Sequence, residues 1–403
     1  MLKRHTKCWL VWVSIGALAT LIGAAAGVAS AAFLLLLDWA TQIRTQHEAL
    51  IYALPVAGLG IGAIYDRFGK PIRGGNNLII DTIHASDSAQ IPLRMAPMVL
   101  VGTVLTHLFG GSAGREGTAV QMGASLADAF AHRLGVSRAQ LLAAGMAGGF
   151  GAVFGTPWAG MFFGIEVLTV GKIEYRAVIP ALIAALVGDQ VTRALGIVHT
   201  PYPHLAALSL TPRLIAKWLA FAVAVAAVTV VFIELTHGLQ RVFDRHVPRL
   251  PIRMALGGVV LIGLWHVFGS RYLGLGVPTI VAAFSQPVPT FAFAWKLLFT
   301  AVTLGSGFLG GEVTPLFFIG ATLGAVLAPI LGIPVELGAG VGLAAVFGAA
   351  ANTPLALSIM AVELMGVAIL PHVLLVTVVA YVLTGRRSIY TSQRRRVSTT
   401  HDL

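Results

Sequence analysis

Long uncharged apolar runs alternate with short polar segments along most of this chain. Residues 139–165 and 254–270 contain no charged residue, and their lengths are close to the roughly 20 residues that a helix needs to cross a bilayer. The first such run, residues 9–37, is too long for the core of a cleaved signal peptide. The pattern therefore predicts an all-α polytopic membrane protein whose first apolar run is a membrane helix.

Glycine and proline interrupt many of these runs. The chain has 46 glycines and 19 prolines, and several fall inside apolar stretches, as between Gly145 and Gly151 and in Gly155-Thr156-Pro157. Interrupted helices are tolerated at membrane depth where the freed backbone groups line a cavity rather than face lipid. Broken and re-entrant helices are therefore expected.

An internal repeat divides the chain into two halves. A Thr-Pro pair is followed nine residues after the proline by a glutamate, once at Thr156-Pro157 and again at Thr353-Pro354, 197 residues later. The halves span about 40–200 and 215–385 and are joined by the polar stretch 201–213. The residues leave open whether the halves are parallel or inverted. They predict one membrane domain over 1–393, followed by a basic cytoplasmic tail over 394–403.

Charge and composition narrow the function classes. The chain is 57% hydrophobic and 11% charged, with mean hydropathy +0.86 and net charge +11. Basic residues cluster at the ends and in loops, which is typical of the positive-inside rule rather than of nucleic-acid binding, and which predicts cytoplasmic termini. Contact with anionic lipid is a second use for them. A single cysteine excludes a disulfide framework.

Two glutamates stand inside matching glycine frames, Gly114-Arg115-Glu116-Gly117-Thr118 and Gly310-Gly311-Glu312-Val313-Thr314-Pro315. A carboxylate at membrane depth costs roughly 2.5–3.5 kcal/mol even on the lenient insertion scale, so it is retained mainly for function. Each frame also has the form of a helix N-terminus, where unpaired N–H groups favour an anion. The frames predict groups that handle protons and compete with an anion.

Other polar positions have simpler interpretations. Arg73-Gly74-Gly75-Asn76-Asn77 offers amide donors to an anion, although its spacing is more typical of a glycine-rich turn with a helix cap. Glu166 and Glu363 are predicted to pair with backbone N–H groups, and His107 to be hydrogen-bonded inside the bundle. The sequence contains no phosphate loop, no His-Glu-x-x-His and no Gly-x-Ser-x-Gly, so enzyme chemistry has little support.

At these motifs the chain resembles the CLC family of chloride channels and proton-coupled anion antiporters. Residues 114–117 match its Gly-Arg-Glu-Gly-Pro motif, with Thr118 for the proline, and residues 311–315 match Gly-x-Phe-x-Pro, with Val313 for the phenylalanine. Tyr390 fits the late tyrosine that faces the central anion. The resemblance runs from about residue 10 to 393. It implies a CLC-type fold of two inverted-topology repeats and a homodimer with one pathway in each subunit.

The departures from that pattern are informative. Residues 74–78 read Gly-Gly-Asn-Asn-Leu where the family usually has Gly-Ser-Gly-Ile-Pro, so its anion-coordinating serine is absent. Glu166 is followed by Val167 where the chloride/proton exchangers carry a second glutamate, and an acid and a hydroxyl, Glu312 and Thr314, stand in the second frame. This combination resembles the fluoride/proton antiporter branch, the CLC-F type.

The resemblance implies roles for individual residues. Glu116 and Glu312 would carry out proton transfer and gating, and Asn77, Thr314 and Tyr390 would donate hydrogen bonds to fluoride. The full set implied for anion binding is Gly75, Asn76, Asn77, Gly114, Gly117, Thr118, Val313, Thr314 and Tyr390.

The expected activity is fluoride export across the inner cell membrane, coupled to inward proton movement, with fluoride, protons, lipid and a second copy as partners. No cofactor, metal or nucleic acid is expected. The alternative within the family is a chloride/proton antiporter or chloride channel. A membrane-embedded hydrolase using the two acids is a third possibility, weakened because the nucleophile and metal ligands are missing.

Overall fold

The computed structural model describes residues 2–85, 90–131, 136–206 and 208–395, of which residues 2–11 and 395 are described by their backbone alone. The predicted basic tail lies outside this part from residue 396 onward. The α-helices of the described part are α1 (Leu2–Gln46), α2 (Leu54–Phe68), α3 (Asn76–His84), α4 (Met95–Leu108), α5 (Glu116–Asp128), α6 (Arg138–Phe154), α7 (Pro157–Glu166), α8 (Val178–Ala194), α9 (Pro212–His246), α10 (Leu250–Phe268), α11 (Val277–Ala282), α12 (Ala292–Gly305), α13 (Val313–Leu331), α14 (Val335–Ala350), α15 (Pro354–Met365) and α16 (Leu370–Thr384). Two short parallel strands, β1 (Thr169–Val170) and β2 (Arg394–Arg395), pair with each other.

The chain is a multi-pass membrane protein, as the apolar runs predict. Seven helical segments of the described part are long and apolar enough to cross a bilayer: 12–46, 48–68, 175–194, 212–246, 250–268, 313–331 and 367–384. Large apolar side chains such as Leu21, Val231 and Val259 point outward from these helices. In water such exposure would be unfavourable, but in lipid it is the expected arrangement.

The remaining helices are broken, and glycine or Thr-Pro pairs mark the breaks, as predicted. The loop 109–115 separates α4 from α5, and the loop 306–312 separates α12 from α13. Thr156-Pro157 ends the α6–α7 connection, and Thr353-Pro354 ends the α14–α15 connection. The breaks put the starts of several helices inside the protein rather than at its surface.

The two halves have inverted topology. α1 and α8 run parallel, because Gly23 faces Ala184 and Gly27 faces Gly188 at a distance that leaves no room for a Cβ. The first half therefore ends on the face where α1 ends, here called the Arg44 face. The second half begins there with α9, so it crosses in the opposite sense and ends on the other side, here called the Tyr390 face. The inverted repeats expected from the resemblance are confirmed.

Glycine–glycine crossings pack the equivalent helix pairs of the two halves. A Cβ on Gly123 of α5 would lie 2.1 Å from the carbonyl oxygen of Gly145 on α6, and one on Gly320 of α13 would lie 2.0 Å from that of Gly342 on α14. Small residues at such crossings let backbones approach closely, which is how helices associate in lipid. These two pairs are separated by the same 197 residues as the Thr-Pro repeats.

Each half completes a helix of the other through a glutamate. The carboxylate of Glu166, the last residue of α7, accepts hydrogen bonds from Leu355 N (3.1 Å) and Ala356 N (2.8 Å) at the start of α15. Glu363 of α15 accepts from Trp158 N (3.0 Å) and Ala159 N (2.7 Å) at the start of α7. The N–H groups that follow a first-turn proline have no intrahelical partner. The predicted pairing of both glutamates with backbone is confirmed.

Candidate functional site

The two glycine frames meet near the middle of the protein. Gly114 N donates to Gly311 O at 2.6 Å, and Gly311 N donates to Gly114 O at 2.8 Å. This reciprocal bridge brings together the start of α5, at Glu116, and the start of α13, at Val313. The positive ends of two helix dipoles therefore point into one small region, which favours an anion there.

Glu116 fills this region with its own carboxylate. Its side chain is 1% exposed. Oε1 accepts a 2.5 Å hydrogen bond from the hydroxyl of Thr314, and Oε2 accepts from Thr314 N and Arg115 N, both at 3.1 Å. Arg115 Nε lies 3.4 Å from Oε1. The carboxylate thus takes donors from both halves of the chain, in a position that an anion could occupy in its place.

A small chamber lies on the Arg44 side of Glu116. Its volume is about 10 Å³, and Phe154, Tyr202 and Phe317 contribute to its wall. It shares Arg115, Thr200 and Val277 with a larger cavity of about 690 Å³ on the Arg44 face, here called the Arg44 cavity. The chamber is at the lower limit for a single water, so the path outward from Glu116 is narrow in this structure.

Glu312 turns toward the opposite face. It is the residue immediately before α13, and its Oε2 is buried with no hydrogen-bond partner among the described residues. A methyl group added at Gly117 would lie 3.7 Å from that oxygen and 3.3 Å from Asn76 Nδ2. Because Gly117 and Gly311 have no side chains, the space between Asn76 and the Glu312 carboxylate stays open.

The two asparagines face different partners. α3 begins at Asn76 after Gly75, whose φ of +54° suits glycine, and no side chain caps its first turn. Asn76 is 8% exposed, and its Oδ1 is buried without a partner in the described part. Asn77 instead accepts a 3.1 Å hydrogen bond from Ser392 N. The Asn76 amide therefore lies on the same side of Gly117 as Glu312, whereas the Asn77 amide oxygen is held by Ser392.

A second large cavity, here called the Tyr390 cavity, opens on the Tyr390 face with a volume of about 830 Å³. Glu312, Asn76, Thr118 and Tyr390 all line it. The Thr118 hydroxyl lies 2.8 Å from that of Thr103. Burial raises the pKa of the Tyr390 phenol well above its ordinary value, with smaller contributions from Glu312 and Glu116, so the phenol remains a donor.

All of the predicted site residues lie between the chamber beside Glu116 and the Tyr390 cavity, or line that cavity. Gly114, Glu116 and Thr314 form the centre of the site together with Val313, which is 1% exposed. The others surround the approach from the Tyr390 cavity: Gly75, Asn76, Asn77, Gly117, Thr118, Glu312 and Tyr390.

Sequence reasoning missed several polar residues in the same region. Gln121 and Thr103 line the Tyr390 cavity, and Arg44 lines the Arg44 cavity. Lys296 is fully buried in α12. A lysine alone within an apolar helix is a signal of the same kind as the two glutamates and could have been found on that ground.

His107 supports the first frame from behind. Its two ring nitrogens lie 2.8 Å from Thr103 O and 2.9 Å from Ala113 O, so the ring joins α4 to the loop that carries Gly114. The prediction that it is hydrogen-bonded inside the bundle is confirmed.

An α-helical membrane protein with two buried acids between cavities on opposite faces has the construction of an ion channel or ion transporter. The family model described as "Voltage gated chloride channel" matches residues 57–385. The chain belongs to this family, the CLC family of the resemblance.

Similarity to curated relatives extends over most of this chain and most of each relative. The "Chloride/fluoride channel protein" of Pseudomonas syringae pv. tomato is 46% identical over 393 residues, which covers 94% of this chain and 86% of that protein. A "Voltage-gated ClC-type chloride channel ClcB" of Salmonella typhi is 27% identical and covers 91% of this chain and 95% of that protein. These relatives are channels rather than enzymes.

Solved structures have the same fold. A CLC-type fluoride/proton antiporter superposes with a TM-score of 0.92 at 37% identity, covering 95% of this chain and 98% of that one. A slow cyanobacterial Cl⁻/H⁺ antiporter superposes with a TM-score of 0.81 at 20% identity, over 94% and 96% of the two chains, and supports the fold alone.

Proposed function

We propose that this protein is a fluoride/proton antiporter that exports fluoride across the cytoplasmic membrane in exchange for protons moving inward. The observation that carries the proposal is the pair of acids, each directed to a different side. Glu116 lies beside the chamber toward the Arg44 face, whereas Glu312 lines the Tyr390 cavity. The similarity to a solved fluoride/proton antiporter supports the same activity.

Competition between fluoride and a carboxylate would couple the two ions. Glu116 as a carboxylate accepts three hydrogen bonds, from Thr314 N, the Thr314 hydroxyl and Arg115 N. Fluoride is a small, strongly hydrated acceptor, so it needs several close donors of this kind. When Glu116 is protonated it holds these donors less strongly, because charge-assisted hydrogen bonds are roughly twice as strong as neutral ones. Proton binding would then admit fluoride and release Glu116 toward the Arg44 face.

Glu312 would carry protons on the inner side. Its unpartnered buried oxygen faces Asn76 and Gly117 and is reached from the Tyr390 cavity. A carboxylate that is buried at membrane depth without a hydrogen-bond partner is costly, and taking up a proton removes that cost. Asn76, Thr118 and Tyr390 would supply donors to fluoride as it enters from that cavity, and Thr314 would position either fluoride or Glu116.

The Tyr390 face is assigned to the cytoplasm, and with it both termini. Arg241, Arg245 and Arg249 flank the turn between α9 and α10 on that side, and Arg386 and Arg387 follow α16. An excess of basic residues marks the cytoplasmic side of membrane proteins. Fluoride would therefore enter from the Tyr390 cavity and leave through the Arg44 cavity, across the cytoplasmic membrane of a prokaryotic cell.

Two copies are proposed to associate through the outer face of α7, α8, α15 and α16. Apolar side chains project outward from all four helices, including Trp158, Leu186, Leu355 and Val382. The remaining apolar surface would contact lipid. Each copy contains its own pair of acids and its own two cavities, so transport would not require residues from the partner.

A chloride/proton antiporter or chloride channel is the second candidate, because the Pseudomonas relative is named for both chloride and fluoride. The test is anion efflux from liposomes loaded with fluoride or chloride, with internal pH recorded alongside. Strong fluoride efflux, weak chloride efflux and opposed proton movement are expected. Comparable chloride flux would favour the second candidate, and anion flux without proton movement would make the protein a channel and remove the role given to Glu312.

A further inference from the structure

The Arg44 cavity has more basic than acidic groups around it. Arg44, Arg115 and Arg271 line it, together with the uncharged donors Ser270, Thr200 and His199. Its acids are Asp38 and Glu48. The ordinary route for an anion leaving the chamber beside Glu116 leads through this cavity, because the two spaces share part of their walls.

Arg44 is the unusual group in this cavity. It lies in the last turn of α1 and is 9% exposed, and its Nε is buried with no hydrogen-bond partner among the described residues. No carboxylate of the described part lies within 4.0 Å of its nitrogens, although Glu48 attracts it electrostatically from farther away. A buried guanidinium without a paired anion is unfavourable unless something else takes up its donors.

The position of Arg44 is fixed by a neighbouring loop. A methyl group at Gly274 would lie 3.2 Å from Arg44 Nη2, so the guanidinium lies directly against that glycine, whose φ is +58°. The loop itself is held by Lys296, whose Nζ donates to Gly274 O at 2.5 Å and Tyr272 O at 3.1 Å and lies 5.5 Å from the ring of Phe318. Arg44 is therefore held in a set position before any ligand arrives.

We propose that Arg44 forms a binding subsite for a small monovalent inorganic anion, separate from the site at Glu116. The guanidinium supplies the donors, and Ser270 lies on the same cavity wall. The guanidinium is a delocalised, weakly hydrated cation, so the subsite accepts chloride and bromide as well as fluoride. Anion selectivity stays with the residues around Glu116 and Glu312.

The subsite gives the outer end of the pathway its own affinity. An anion that has passed Glu116 is held at Arg44 before it leaves, and an anion arriving from outside is captured there first. The physiological role of the subsite rests on the proposed function, since it needs an anion to pass. Binding of the anion does not, and it is measured separately.

Binding is tested on crystals of the purified wild-type protein soaked in sodium bromide, with the bromide located by anomalous diffraction. A peak at the Arg44 guanidinium, lost in crystals of Arg44→Gln, is expected. Absence of the wild-type peak would overturn the subsite, and so would a peak that remains in Arg44→Gln. The outcome does not depend on whether the protein exchanges protons or prefers fluoride, so it separates this inference from the proposed function.

The transport consequence is tested from each side. Fluoride uptake is measured in right-side-out and inside-out membrane vesicles containing the wild type, Arg44→Gln or Arg44→Lys. For Arg44→Gln, the apparent KM for fluoride presented at the Arg44 face is expected to rise roughly tenfold, the effect of losing a hydrogen bond to a charged donor. The KM at the Tyr390 face is expected to be unchanged, and Arg44→Lys to recover part of the loss.

Arg271→Gln is the matched control, because it removes the same charge from an exposed arginine of the same cavity. An equal rise in KM for Arg271→Gln would show that diffuse charge, rather than a subsite at Arg44, sets the affinity. An unchanged KM in Arg44→Gln would overturn the inference as well. Elution of each variant at the wild-type volume in size-exclusion chromatography confirms that the comparison is made on folded protein.

Discussion

Glu116 and Thr314 come from different halves of the chain, yet they form the shortest contact of the candidate site. The Thr314 hydroxyl and its N–H both donate to the Glu116 carboxylate. Burying a carboxylate is costly, and hydrogen bonds to its oxygens offset part of that cost. Glu116 of the first half is therefore joined to the second half through Thr314. One substitution at each residue separates their contributions to transport.

We expect Glu116→Gln to lower proton-coupled exchange by roughly 100-fold or more, because the amide keeps the shape of the side chain but cannot carry a proton. Fluoride and proton fluxes in liposomes measure the effect. Glu336→Gln is the control, because Glu336 is exposed at the start of α14, and its fluxes should match those of the wild type. Proton-driven transport that persists in Glu116→Gln would contradict the role given to this residue.

Thr314→Val removes the hydroxyl donor and retains the backbone N–H. A hydrogen bond to a charged group contributes about 1.5–3 kcal/mol, so coupled exchange is expected to fall by roughly 10- to 150-fold, and Thr314→Ser to stay near the wild type. Thr322→Val, on the same helix, removes a hydroxyl that bonds only to backbone and should leave transport unchanged. Equal loss in the serine and valine variants would show that the hydroxyl is not the important feature of Thr314.

The sequence alone identified the two glutamates of the site more readily than it identified which asparagine faces them. Glu116 and Glu312 stand out because carboxylates are rare at membrane depth, whereas the choice between Asn76 and Asn77 depends on the positive φ of Gly75, which composition does not reveal. The bridge from Gly114 to Gly311 is also hidden, because it joins residues about half a chain apart through backbone alone.

At the scale of elements, helix breaks and close crossings position the site. α5 and α13 begin at the centre because glycine loops precede them, and each packs on its following helix through glycines. The breaks were predicted from glycine and proline within apolar runs. The crossings were not, since a sequence shows small residues without showing which helix they face.

Gly123→Ala is expected to destabilise the protein by about 1–3 kcal/mol, because the new methyl group would lie 2.1 Å from the Gly145 carbonyl oxygen and force the backbones apart. The apparent Tm in detergent, followed by loss of the folded size-exclusion peak, measures the effect. Gly60→Ala on α2 is the control, since no atom outside its own turn of helix lies within 4 Å of the added methyl. A Tm for Gly123→Ala equal to that control would show that the crossing tolerates a larger separation.

At the scale of the whole molecule, inversion places equivalent parts on opposite sides of one central site. The separation of 197 residues was visible in the sequence, but the sense of the second half was not, because it depends on whether an odd or even number of segments cross before α9. Broken helices make that number hard to count. The structure resolves it through the parallel packing of α1 on α8.

The proposed dimer gives a prediction at this scale. Leu186→Trp places a bulky ring on α8 in the proposed interface, and it is expected to yield a particle near the 42.1 kDa chain mass where the wild type gives about twice that value. Light scattering with detergent correction measures the mass. Val231→Trp, on the exposed surface of α9, should remain dimeric. If Leu186→Trp remained dimeric and Val231→Trp became monomeric, the proposed interface would be wrong.

The exchanged glutamate caps have a consequence for how the chain is made. The N–H groups of Trp158 and Ala159 receive their partner from Glu363, which lies 205 and 204 residues further along the chain. At about 5–20 residues per second of synthesis, the ribosome adds Glu363 roughly 10–40 s after the start of α7. For that interval the nascent first half lies in the membrane with an unfinished helix, which is completed only after α15 has been made.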